Sequence, residues 1–129
     1  MDQDRYARGW ENLRTVDAEA GERVIKSLES IAPDLGRYVI EFAFGDIYAR
    51  PGLDLQGRQI ATVAALTALG TATPQLKVHI HGALNVGLTR AQVLEVIIQM
   101  AVYAGFPAAL NGIFAAKEVF AERDADGRS

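Results

Sequence analysis

Cysteine does not occur anywhere in the 129 residues. Its absence excludes disulfides, thiolate metal ligands and every mechanism that needs a sulfur nucleophile, thiol peroxidases included. Histidine is scarce as well, with His79 and His81 the two residues of that type. Positive charge is not in excess either. A net charge of −3 and a pI near 5.3 argue against a nucleic-acid partner, because neutralising phosphates takes a basic surface. No uninterrupted apolar run reaches the roughly 18 residues of a membrane span. The start, Met1-Asp2-Gln3-Asp4-Arg5, lacks the basic-then-apolar order of a secretory leader. The expectation is a cytoplasmic protein with neither membrane nor nucleic acid as partner. Also missing are a Gly-x-Gly-x-x-Gly loop, a Walker loop, a serine nucleophile elbow and a His-Glu-x-x-His pair.

What is present is an ordinary globular balance, 50% hydrophobic and 22% charged, in a length that suits one domain, residues 1–129. Turn residues cut the chain into helix-sized pieces, and no alternating strand pattern competes, so the fold class is all-α, a compact bundle of about six helices. From 5 to 31 the spacing predicts a helical arm broken near Gly21. Pro33 then suits a first helical turn, and Leu35, Val39, Phe42, Ala43 and Ile47 continue one α-helix to Tyr48. Asp54 is placed to cap a helix from Leu55 to Leu69 that Gly70 ends. Thr73-Pro74 opens the next helix, which Gly87 closes. Thr89-Arg90-Ala91-Gln92 reads as a capping box ahead of Val93–Ala104. Gly105-Phe106-Pro107 stops that helix and starts the last, through about Ala121. The core is expected over about 33–121. Val93–Ala104 is apolar on nearly every face, more than one small protomer covers easily, which predicts a homo-oligomer. A monomer with a well-filled core is the alternative.

Three groups of residues could carry chemistry. Glu95, Gln99 and Tyr103 stand at i, i+4 and i+8, one polar stripe on that apolar helix. It reads as a pocket wall with a tuned acid, or as an interhelical hydrogen-bond network. His79 and His81 form His-x-His, but on a helix their side chains diverge by about 200°, which disfavours a shared metal. His79 flanks the apolar face set by Leu76, Ile80, Ala83 and Leu84 and is the candidate pocket residue, whereas His81 is expected in solvent or at an interface. Arg58 lies in the first turn of an otherwise apolar helix. It could hold a carboxylate in two-point geometry, serve as a surface charge, or pair with Glu95.

Several runs together resemble the carboxymuconolactone decarboxylase family. They are LDLQGRQ, with Arg58 and Gln59 at its end, then Gln75-Leu76-Lys77-Val78-His79, Gly82-Ala83-Leu84 and Gly87-Leu88-Thr89. Above all there is the stretch from Glu95 through Gln99, Tyr103, Gly105 and Pro107 to Ala109. The resemblance covers roughly 33–120. It implies an all-helical fold shared with alkylhydroperoxidase D proteins and assembly into trimers or hexamers. One branch of that superfamily uses a Cys-x-x-Cys pair ahead of the family histidine. Here those positions are Ala72 and Gln75, so thiol-dependent peroxide reduction is excluded on chemical grounds.

The other branch implies conversion of 4-carboxymuconolactone to 3-oxoadipate enol-lactone and CO2, without metal or organic cofactor. The resemblance casts His79 as proton donor or hydrogen-bond partner of the developing oxyanion, and Arg58 as the residue that orients a small anionic lactone acid. Glu95 would position His79 or serve as the acid, and Gln99 and Tyr103 would contact substrate oxygens. Two positions depart from the family pattern. Gln59 stands where a glutamate commonly follows the arginine, and Gln99 where pathway decarboxylases tend to carry a second histidine. A helical oligomer that binds a small ligand without catalysis is the other function class consistent with these residues.

Overall fold

The computed structural model describes residues 2–129, and the chain packs as two compact units, one through Leu55 and one from Gln56 onward. The first unit opens with α1, Asp2–Leu28, which breaks at Asp17 and not near Gly21 as expected. The reason is local. Asp17 leaves helical geometry at φ −160, ψ 91, and its carboxylate accepts a bond from the Ala20 amide at 3.1 Å, so it acts as the N-cap of the second half. Gly21 has a packing role: a Cβ there would lie 2.7 Å from the Leu13 side chain.

The predicted single helix to Tyr48 is also corrected. Pro33–Tyr38 forms α2, but Val39–Ile47 widens into a π-helix. Apolar spacing over so short a run fits either winding, and packing decides between them. At Gly9 of α1 the backbones approach so closely that a Cβ would fall 1.9 Å from the Ile40 carbonyl oxygen. Farther along, Asn12 Nδ2 donates to the Phe44 carbonyl and Arg8 Nε to that of Gly45, each at 2.8 Å. These side chains satisfy late carbonyls of the wide helix, and Tyr48 N closes it on Ala43 O at 2.9 Å. Arg5 adds a two-point ion pair to Asp46, Nε to Oδ1 at 3.0 Å and Nη2 to Oδ2 at 2.8 Å.

The second unit is built from α3 (Leu55–Leu69), α4 (Thr73–Asn85), α5 (Arg90–Ala104) and α6 (Phe106–Ala125). Its punctuation follows the sequence. Gly70, Gly87 and Gly105 take φ of 74, 103 and 93, values at which a side chain is strained. The capping box forms in both directions, Gln92 N to Thr89 Oγ1 at 3.0 Å and Thr89 N to Gln92 Oε1 at 2.9 Å. The α4 cap is Ala72, one residue before the expected Thr73, with Pro74 in the first turn.

Helix α6 runs on to Ala125 because its last turn is held against α4. Arg123, only 4% exposed, donates from Nη1 to Asn85 Oδ1 at 3.1 Å and to His81 Nδ1 at 3.2 Å. One apolar core joins Val63, Leu76, Ile80, Leu84, Val93, Ile97, Ala116 and Val119. Gly112 lets α6 come close: a Cβ would lie 2.8 Å from Ile97 Cγ2 and 3.0 Å from Thr67 Cγ2. The described residues contain no β-strand, and no helix is long and apolar enough to cross a membrane.

Candidate active site

Helix α3 buries Gln59, Val63 and Thr67, one residue per turn on a single face. A fully buried amide is unfavourable by roughly 1–3 kcal/mol unless it is hydrogen-bonded. Gln59, at 0% exposure, meets that need across the core, where its Oε1 lies 3.1 Å from His79 Nδ1. Helix α4 aims the ring there because its own buried residues, Leu76, Ile80, Ala83 and Leu84, turn the flanking His79 inward. The ring is half-buried. Arg58, also half-buried, immediately precedes Gln59, so α3 carries the guanidinium and the buried amide side by side in sequence.

Of the two places expected for His81, solvent or an interface, it does not take the first. Its side chain keeps only 15% exposure and turns to α6, with Nε2 2.9 Å from Glu122 Oε2 and Nδ1 on Arg123. The two histidines therefore point to different helices, as two positions on an α-helix must. Among the described residues no group of His, Asp or Glu is arranged to hold a metal ion.

The polar stripe is not buried in the protomer. Glu95, Gln99 and Tyr103 are exposed, Tyr103 at 78%. The reason lies in how α5 docks: Val93 and Ile97 are its buried residues, and the stripe begins two positions after Val93, about 200° around the helix. Its own protomer thus leaves the Glu95 carboxylate in water. The structure brings Gln59 and His79 together at the start of α3 and leaves the stripe facing outward beside Ile98 and Val102. Sequence reasoning noted Gln59 only as a departure from a pattern. The signal that could have found it is its fourfold spacing with Val63 and Thr67, which places a polar side chain on the inward face.

This is an all-helical protein in which a buried amide meets a half-buried imidazole, and an arginine precedes the amide in sequence. The carboxymuconolactone decarboxylase family matches residues 33–118, and the chain belongs to that family. It is 33% identical over 120 residues to a 4-carboxymuconolactone decarboxylase of Acinetobacter baylyi, covering 92% of this chain and 89% of the relative. An uncharacterised 15.0 kDa protein of Paracoccus denitrificans is 34% identical over 101 residues, 78% of this chain and 75% of that one. A nitrosuccinic acid decarboxylase of Metarhizium robertsii is 32% identical over 75 residues, 58% of this chain and 52% of the relative.

Proposed function

We propose that the protein is a decarboxylase that needs no cofactor and acts on 4-carboxymuconolactone or a related acid whose departing carboxylate sits beside an electron-accepting group. The observation that carries this reading is the Gln59–His79 pair at 3.1 Å, with Arg58 preceding Gln59 in sequence, in a chain similar to a 4-carboxymuconolactone decarboxylase over nearly all its length. The names of the two decarboxylase relatives share one chemistry. In the lactone acid the unsaturated ring accepts the electron pair left behind by CO2, and in nitrosuccinic acid the nitro group can do the same. The substrate is its own electron sink.

The protein must then supply three things: an anchor for carboxylate, stabilisation of the developing oxyanion, and one proton. Arg58 offers the two-point grip on a carboxylate. The C–C bond to the leaving carboxylate breaks, its electron pair delocalises into the acceptor, and a proton from His79 forms the new C–H bond. Glu95, Gln99 and Tyr103 fit this reading through assembly. The exposed face of α5 would meet another copy in a homo-oligomer, a trimer or hexamer, so that the stripe completes a site from outside its own protomer.

The test is CO2 release from 4-carboxymuconolactone, with His79→Gln and Arg58→Gln beside the parent protein. The expected result is turnover by the parent, a loss of about 100-fold or more in kcat for His79→Gln, and a raised KM for Arg58→Gln. A parent that binds the lactone acid and releases no CO2 would instead identify a ligand-binding helical oligomer. A His79→Gln variant with full turnover would remove the proposed proton donor.

A further inference from the structure

We propose that Gln59 is a positioning residue that fixes the protonation pattern of His79. Its buried carbonyl keeps a proton on Nδ1, so Nε2 becomes the one ring nitrogen at which a proton is taken up and given away. The argument begins with donor and acceptor chemistry. The amide Oε1 of Gln59 carries no hydrogen and can only accept, and it lies 3.1 Å from His79 Nδ1. That bond requires Nδ1–H in the neutral ring and in the imidazolium alike. The neutral ring is left with its lone pair on Nε2. Because Gln59 is fully buried, water does not compete for the bond.

The neutrality of the partner matters as much as its position. A carboxylate at position 59 would hold Nδ1–H equally well, but its negative charge would stabilise the imidazolium and keep the transferable proton on the ring. An amide sets the same geometry without that attraction, so the charged ring is a better proton donor. The charged side chains of α6 that meet α4 are engaged elsewhere: Glu118 with Lys77, Glu122 with His81, and Arg123 with His81 and Asn85. Arg58 adjoins Gln59 on α3, and Glu95 of α5 is exposed.

The catalytic half of the inference rests on the decarboxylase reading. There, the Nε2 proton goes to the carbon that has lost CO2, and the neutral ring is recharged from water. The positional half does not depend on any activity.

The test exploits a sequence with only two histidines. A long-range 1H–15N spectrum of the parent protein shows two rings, and His81→Asn assigns them. Above its titration midpoint, His79 is expected as the Nδ1–H tautomer. Gln59→Leu should release it to a mixture of tautomers. Gln59→Glu should keep the tautomer and raise the midpoint of His79 by about one pH unit or more, with a lower kcat at unchanged KM. An Nε2–H tautomer in the parent, the pattern an amide turned to present its NH2 would impose, overturns the inference. So does Gln59→Glu with an unshifted His79. If Gln59→Leu does not fold, the parent and Gln59→Glu spectra still decide. Failure of the decarboxylase reading appears separately, as absence of CO2 release from a parent with the expected tautomer.

Discussion

Gln59 and Thr67 lie two turns apart on the buried face of α3, and they meet different fates. Gln59 has the His79 ring, whereas the Thr67 hydroxyl, in a side chain 1% exposed, has no hydrogen-bond partner among the described residues. A buried hydroxyl without a partner is destabilising, and valine has nearly the same shape without it. Thr67→Val is therefore expected to stabilise the protein by about 1 kcal/mol, seen as a higher urea midpoint at unchanged slope. At this scale the sequence was legible where helix geometry alone decides. His79 inward and the divergence of His81 follow from the angle per residue. Burial of Glu95 did not follow, because α5 is apolar on most faces and periodicity cannot say which of them its own protomer covers. Gln59 stood out in the sequence only as a departure from the family pattern, because its role depends on a partner 20 positions away.

Among the elements, those bounded by capping chemistry were the most readable: Thr89 with Gln92, and the glycines at 70, 87 and 105, act within a few residues of themselves. The π-helix was not readable, since it depends on what α1 presents to it. The Arg5–Asp46 pair ties those two elements together and carries a pH signature. Hydrogen bonding by Arg5 holds the Asp46 carboxyl below its ordinary value of 3.8, and the charges of Arg5 and Arg8 act in the same direction. The folded value is thus below the unfolded one. The stabilisation is complete above 3.8 and fades as pH falls through the lower folded value. Asp46→Asn should be less stable than the parent near neutrality, and the gap between their urea midpoints should close in more acidic buffer. A gap that stayed constant into acid would mean the ion pair contributes nothing measurable.

At the scale of the whole molecule, both units leave apolar surface uncovered. In the first, Ile31, Leu35, Tyr38 and Phe42 follow one another along α2 and its approaches. In the second, Ile98, Val102, Phe106, Leu110 and Phe114 are all more than half exposed. Contiguous apolar surface of this kind marks interaction sites. Val102→Asp places a charge on a side chain 76% exposed in the protomer, so the fold should tolerate it. In sedimentation velocity the parent is expected as a trimer or hexamer and the variant as a smaller species. Equal masses would exclude this face from the assembly.

The Arg123–His81–Glu122 chain has a consequence for every such experiment. Arginine can only donate, so His81 Nδ1 must accept and its hydrogen must sit on Nε2, the mirror of the pattern proposed for His79. These His81 bonds join α4 to α6, whereas the Gln59–His79 bond joins α3 to α4. The molecule therefore contains its own reference signal: one imidazole reports whether the helices are still docked, and the other, two residues away, reports the chemistry.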